Sequence, residues 1–322
     1  MNIQIVTPAS EGSTSGNWVT AERWARILKN LGHRVSIVQK YDGRSPNMLI
    51  ALHARRSYSS IARFRRNHPE HSIVLALTGT DVYRDIHRNP RAHRSLALAD
   101  RLIVLQPGAL SKLSAGERKK AQVIYQSIDS FPRAKKSRAN SGQDHFEICV
   151  IGHLRPVKDP FRAALAARGL PKSSRIRITQ VGAALSQHME RRALREMQLN
   201  QKYRWLGKLS RAGALRALAH SRLLVISSRI EGGANVLSEA IVAGVPVLAS
   251  RIDGNVGILG NNYPGLFRSG DTEALCRLIW RAEQDAKFLN QLKQRINQLA
   301  PLFDPACEQR AWARLLREVA AR

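Results

Sequence analysis

Short apolar runs recur along this chain, and stretches of helical period separate them. The runs at 2–7, 34–39, 48–52, 73–77, 101–105 and 121–124 read as strands. They hardly alternate, which is the pattern of strands covered on both faces. Between them, helices are expected at 17–31 and 57–67. This βαβ alternation predicts a parallel sheet with helices on both faces. Residues 131–144 are polar, basic and without period, and read as a linker. A second alternating set starts at Phe146, with strand candidates at 146–151, 203–207, 223–228 and 247–250. Residues 305–322 form an amphipathic pattern with Trp312, Leu315, Leu316 and Val319 on one side. The expected organisation is α/β: a first Rossmann-like domain over 1–143, a second over 144–304, and a last helix over 305–322.

The 322 residues suffice for two domains, and 43% hydrophobic content suffices for their cores. Charge changes the picture. Lys and Arg number 52 against 24 Asp and Glu, a formal net charge of +28. Such a field attracts nucleic acid, acidic membrane faces or phosphorylated metabolites. The basic residues are spread along the chain, without a helix-turn-helix, zinc or RNA-binding signature, so no specific nucleic-acid partner is expected. No run of 18 apolar residues is present, and Met1 leads directly into a strand, so neither a signal peptide nor membrane insertion is expected. Three scattered cysteines, Cys149, Cys276 and Cys307, suit a reducing compartment, and the reading is cytoplasmic.

The chemistry concentrates after the strand at 223–228. Glu231-Gly-Gly-Ala-Asn-Val-Leu-Ser-Glu239 leads into Gly244-Val-Pro-Val247. Loops at the C-terminal ends of parallel strands are where open α/β sheets bind ligands. Gly232 and Gly233 permit close backbone approach, and a helix starting near Asn235 offers free N–H groups and a positive dipole end to a phosphate. A carboxylate stands on each side of that anion site, which fits a diphosphate flanked by hydroxyl-bearing groups.

This pattern resembles the donor signature of the GT-B glycosyltransferases of the family 4-like group. The resemblance implies two Rossmann-like domains facing across a cleft, with the last helix, 305–322, crossing back onto the first domain. It also implies that Glu231 contacts hydroxyls of the transferred sugar, that Glu239 holds the ribose, and that Gly232, Gly233, Ala234 and Asn235 face sugar and diphosphate. Where the family often has an aromatic residue, this chain has Gly233, so a roomier or differently filled sugar pocket is expected. A second motif supports the likeness. Gly152-His-Leu-Arg155-Pro-Val-Lys158 follows the strand at 146–151, and Arg155 and Lys158 match the family's diphosphate-gripping cations. Fixed cations stabilise the charge that grows on a departing nucleoside diphosphate. No Asp-X-Asp motif or His/Cys cluster is present, so no metal and no cofactor beyond the UDP-sugar substrate is expected.

The first domain is expected to choose the acceptor. Its opening loop carries Ser13, Thr14, Ser15, Gly16 and Asn17, hydroxyls and glycines that can hold a small anion or a donor phosphate, or serve only the turn and helix cap. His53 and Arg55 follow the third strand, and Thr80 and Asp81 the fourth. His53 or Asp81 is a candidate general base, while Asp81 equally suits a helix cap. These N-terminal stretches resemble the selenosugar synthases of selenoneine biosynthesis. The resemblance implies a hexosyltransferase joining a UDP-sugar, typically UDP-N-acetylglucosamine, to selenophosphate and releasing UDP. A lipid- or glycan-directed glycosyltransferase and a nucleotide-sugar epimerase of the same fold are the alternatives.

Overall fold

A computed structural model describes residues 1–13, 15–128 and 145–320. Thr14, the linker expected at 131–144, and the side chain of Thr80 lie outside the described parts. The chain forms two compact units. The first comprises Met1–Ser127, Glu231–Ala234 and Leu302–Arg322, and the second Ile128–Ile230 and Asn235–Pro301.

In the first unit the order along the chain is β1 (Asn2–Val6), α1 (Gly16–Asn30), β2 (Arg34–Val38), β3 (Met48–Leu52), α2 (Tyr58–Asn67), β4 (Ser72–Leu77), α3 (Thr80–Tyr83), α4 (Pro90–Leu98), β5 (Arg101–Val104), α5 (Ala115–Lys119) and β6 (Ala121–Val123). The strands pair in the order β2-β1-β3-β4-β5-β6, all parallel. Ile5 lies between Ile37 and Ile50 in register, an apolar row across the sheet. Such rows are buried on both faces, which explains the lack of alternation in the sequence. Cores cover the two faces: Trp24 and Leu28 of α1 lie over one, and Ile61 and Phe64 of α2 over the other.

The second unit runs β7 (Phe146–Ile151), α6 (Arg162–Arg168), β8 (Ile176–Val181), α7 (Gln187–Leu199), β9 (Tyr203–Trp205), α8 (Arg211–His220), β10 (Leu223–Ile226), α9 (Asn235–Ala243), β11 (Val247–Ser250), α10 (Asp253–Leu259), β12 (Leu266–Phe267), α11 (Thr272–Gln284) and α12 (Ala286–Asn297). Its sheet is also parallel, ordered β12-β11-β10-β7-β8-β9. Polar caps set the helix starts. Ser186, Ser210, Asp271 and Asp285 each accept a backbone N–H from the first turn of the helix that follows.

The last helix, α13 (Pro305–Ala320), belongs to the first unit. Trp312 is fully buried and meets Trp24 edge-on with ring centroids 4.9 Å apart. Glu308, one turn earlier, is buried as well. Among the described residues no helix is long and apolar enough to cross a membrane.

Candidate functional site

The C-terminal ends of β7, β8 and β9 meet in a tight backbone crossing. A Cβ added to Gly182 would lie 2.1 Å from the carbonyl oxygen of Gly152, so only glycine fits there. The Gly152 N–H donates to the Val181 carbonyl and the Gly182 N–H to the Gly207 carbonyl, each at 2.8 Å. His153 follows, its Nδ1 accepting the Ala183 N–H at 3.2 Å. That bond makes His153 a fixed part of the crossing.

The loop with the two expected cations starts here. Arg155 is exposed, and Pro156–Lys158 forms a 3-10 turn. Asp159 ends the turn in the left-handed conformation, with φ of 45°. Its carboxylate accepts from Arg162 Nε at 3.0 Å, while the Ser227 hydroxyl donates to its carbonyl at 2.8 Å. The Arg229 N–H donates to the Val157 carbonyl at 2.8 Å. The cationic loop is thus bound to the end of β10. His153 reports the local field: burial first, then the charges of Arg155, Lys158 and Lys208, hold its pKa below the ordinary value. Lys208 is a third cation of this cluster. Sequence reasoning did not single it out, because nothing distinguishes one lysine among 52 basic residues.

Helix α9 begins at Asn235, and Glu239 lies one turn inside it. The carboxylate of Glu239 is 10% exposed and pairs with Arg211 at the start of α8, Nη2 to Oε1 at 3.2 Å. Arg211 is a second residue the sequence reading missed. The ends of β10 and β11 are joined by Ser250, whose hydroxyl donates to the Ser228 carbonyl, and Asn255 Nδ2 donates in turn to the Ser250 carbonyl at 2.9 Å. The second unit therefore carries, beyond the ends of its strands, a glycine crossing, a cationic loop and a helix N-terminus with a buried carboxylate one turn inside. That set can hold a phosphorylated group beside hydroxyls.

Glu231 to Ala234 pack with the first unit. A Cβ on Gly232 would lie 2.7 Å from the Gly79 nitrogen, and one on Gly233 would lie 2.9 Å from Leu105 Cβ. Leu105 thus fills the space beside Gly233 on that side. These glycines allow the segment to lie against Thr78, Gly79 and Leu105, a reason the sequence reading did not contain. Glu231 is half-buried.

The first unit's candidates form a network at the ends of β3 and β4. Asp81 is fully buried. Its two carboxylate oxygens accept the Ala54 N–H at 2.9 Å and the Gly79 N–H at 2.8 Å. Asp81 thereby ties the loops after β3 and β4 together at the start of α3. His53 is only 4% exposed and adopts φ of 75°, an unusual conformation for a non-glycine residue. Its Nδ1 is 3.9 Å from Asp81 and its Nε2 3.9 Å from Asp85. Burial, followed by opposing contributions from Asp81, Arg56, Asp85 and Arg55, leaves its pKa below the ordinary value. Arg55 Nε donates to Asp85 at 2.8 Å, so its guanidinium is partly engaged within the network.

The opening loop is ordered by its own hydroxyls. Ser15 caps α1 by accepting the Trp18 N–H, and its hydroxyl lies 2.9 Å from that of Ser13. Gly16 is the first helical residue. Asn17 Oδ1 accepts the Thr78 hydroxyl at 2.8 Å, joining the start of α1 to the end of β4. The capping role is thus present, and Asn17 sits within the same cluster of strand ends as Asp81. Among the described residues, no group of three or more His, Cys, Asp or Glu side chains is arranged to hold a metal.

Comparison with known proteins gives this arrangement its context. The family model described as "Glycosyl transferases group 1" matches residues 132–299, more than half of the chain. The chain belongs to that family. Its fold is similar to Anabaena Alr3699/HepE, solved in complex with UDP and glucose, at 16% identity and a TM-score of 0.77, covering 99% of this chain and 100% of that one. It is also similar to the sucrose-phosphate synthase of Thermosynechococcus elongatus, at 16% identity and a TM-score of 0.80, covering 99% of both chains. A glycosyltransferase from Rickettsia africae matches at 13% identity and a TM-score of 0.72, over 99% of this chain and 98% of that one. Two parallel-sheet, Rossmann-like halves and the return of α13 to the first unit are the GT-B architecture.

Proposed function

We propose that this glycosyltransferase takes its sugar from a UDP-sugar, UDP-N-acetylglucosamine in the first instance, and transfers it to selenophosphate. The observation that carries the donor half is the loop bearing Arg155 and Lys158, which leaves the Gly152–Gly182 crossing and is bound by the Arg229 N–H and the Ser227 hydroxyl to the end of β10. Anabaena Alr3699/HepE has been solved with UDP and with UDP-glucose, which supports a uridine donor for a chain of the same fold. Glu239 is assigned to the ribose, and Glu231 to hydroxyls of the sugar.

In the proposed reaction an electron pair on selenium attacks the anomeric carbon. The bond from that carbon to the diphosphate oxygen breaks, and its electron pair leaves with UDP. Arg155, Lys158, Lys208 and the N-terminus of α9 stabilise the charge that develops on the leaving group. Water then cleaves the Se–P bond, leaving the selenosugar and phosphate. Selenophosphate is already ionised and needs orientation more than proton removal. A first unit whose Asp81 is occupied and whose His53 is buried is compatible with such an acceptor. The residues assigned to hold it are Ser13, Thr14, Ser15, Asn17, Arg55 and Thr80.

Product analysis by mass spectrometry tests this. Enzyme is incubated with UDP-N-acetylglucosamine, with and without selenophosphate generated in place. UDP together with a sugar bearing the selenium isotope pattern is the expected result. UDP or an epimer formed without selenium transfer overturns the acceptor, and redirects the assignment to a lipid or glycan acceptor or to epimerisation.

A further inference from the structure

We infer that a cavity between α6 and α7, on the second unit, is a binding site for a phosphorylated ligand, separate from the proposed donor site. The cavity measures about 560 Å³, within the usual range for small-molecule sites. Arg168, His188, Arg191, Arg192 and Arg195 line it, with Leu165 and Leu199 as its apolar wall. Arg155, Lys158, Lys208 and Glu239 do not.

The helical spacing explains the concentration of charge. His188, Arg191, Arg192 and Arg195 lie three and four residues apart and so share one side of α7. Like charges at such spacing destabilise a helix. The single lining carboxylate does not relieve Arg191 and Arg195, because Glu196 is engaged elsewhere. It receives Arg168 Nε at 3.0 Å and Nη2 at 2.6 Å, and Asn200 Nδ2 at 3.1 Å. Arg192 is held with its guanidinium 4.5 Å from the centre of the Phe161 ring, a geometry that fixes a cation. Arg191 and Arg195 are exposed. Guanidinium groups such as these bind phosphate oxygens in a bidentate manner. The leucine wall adds an apolar surface for the ester portion. The ligand class is a phosphate or diphosphate ester, free or as a lipid headgroup.

The test uses the full chain carrying Arg155→Ala and Lys158→Ala throughout, so that the proposed donor site contributes least. Inorganic pyrophosphate binding is measured by calorimetry, and binding to vesicles of phosphatidylglycerol in phosphatidylcholine by co-sedimentation. The pair Arg191→Gln and Arg195→Gln is compared with a charge-matched pair on the same unit, Arg277→Gln and Lys293→Gln, with circular dichroism confirming the fold of each. The expected result is at least tenfold weaker pyrophosphate binding for the α7 pair alone. Selective loss of vesicle binding instead also supports the site and assigns its phosphate to a lipid. Equal effects of the two pairs, or no effect of either, overturn the inference, since general attraction to a chain of charge +28 would account for both.

Discussion

The carboxylate of Glu308 accepts the indole N–H of Trp24 at 2.7 Å. The same side chain pairs with Arg23 Nε at 3.1 Å and accepts the Ser127 N–H at 2.7 Å. One residue of α13 thereby binds α1 and the chain beyond β6 inside a buried region. Removing one partner from a buried ionic network costs about 3–5 kcal/mol, because the remaining charge is left without compensation. Glu308→Ala is expected to lower the unfolding free energy by about that amount in urea titrations. A loss below about 1 kcal/mol, the scale of an exposed pair, would remove Glu308 from this role.

The two glutamates of the donor motif are expected to differ in effect. Glu239→Ala should weaken UDP binding in calorimetry, while Glu231→Ala should mainly lower kcat. Arg211, released from Glu239, gives an internal check: Arg211→Gln should alter UDP affinity without abolishing turnover. Unchanged kinetics in both glutamate variants would remove the assignment.

Arg155→Ala and Lys158→Ala should each lower kcat about 10²–10³-fold, the usual cost of deleting a fixed donor to a developing charge. Lys208→Ala should act in the same direction. Steady-state rates at saturating donor measure this. EDTA should leave the wild-type rate unchanged, and full loss would call for a metal.

Acid should destabilise the protein before its carboxylates titrate. His53 and His153 are both held below their ordinary value of 6.5, burial being the first cause of each. The folded state therefore favours the neutral ring. Below the ordinary value the unfolded chain binds more protons, so this contribution to stability is complete at higher pH and falls as the solution is acidified. Unfolding free energy should decrease from about pH 7 to about pH 5, with a shallower slope in His53→Gln. Lys208→Ala should also raise the His153 pKa in an NMR titration.

Gly232→Ala should be costly and Gly116→Ala should not. The added carbon at 232 would meet the Gly79 backbone at 2.7 Å, whereas at Gly116, in α5, nothing lies within 4 Å. Overpacking of this kind costs about 1–3 kcal/mol. Thermal unfolding of the two variants separates them, and turnover should fall with Gly232→Ala as Glu231 moves.

The parallel strands were legible because burial on both faces leaves continuous apolar runs, as at Met48–Leu52 and Leu223–Ile226. The start of α9 at Asn235 and the Pro305 start of α13 were legible too. Contacts between distant residues were not. Trp24 and Glu308 are 284 positions apart, and no local pattern marks their pairing. Leu105 closes the space beside Gly233, and Ala54 occupies an oxygen of Asp81, for the same reason. Lys208 and Arg211 were hidden by abundance, since a uniformly basic chain gives no contrast to any one of its cations.

The burial of Trp312 in the core of the first unit has a consequence for biosynthesis. A ribosome that has made all of β1 to β6 has not yet made the residue that closes their core. The nascent first half must wait, with Trp24 uncovered, while the entire second unit emerges. The half begun earliest is the half completed last, and a stalled or truncated nascent chain would expose that apolar surface to aggregation.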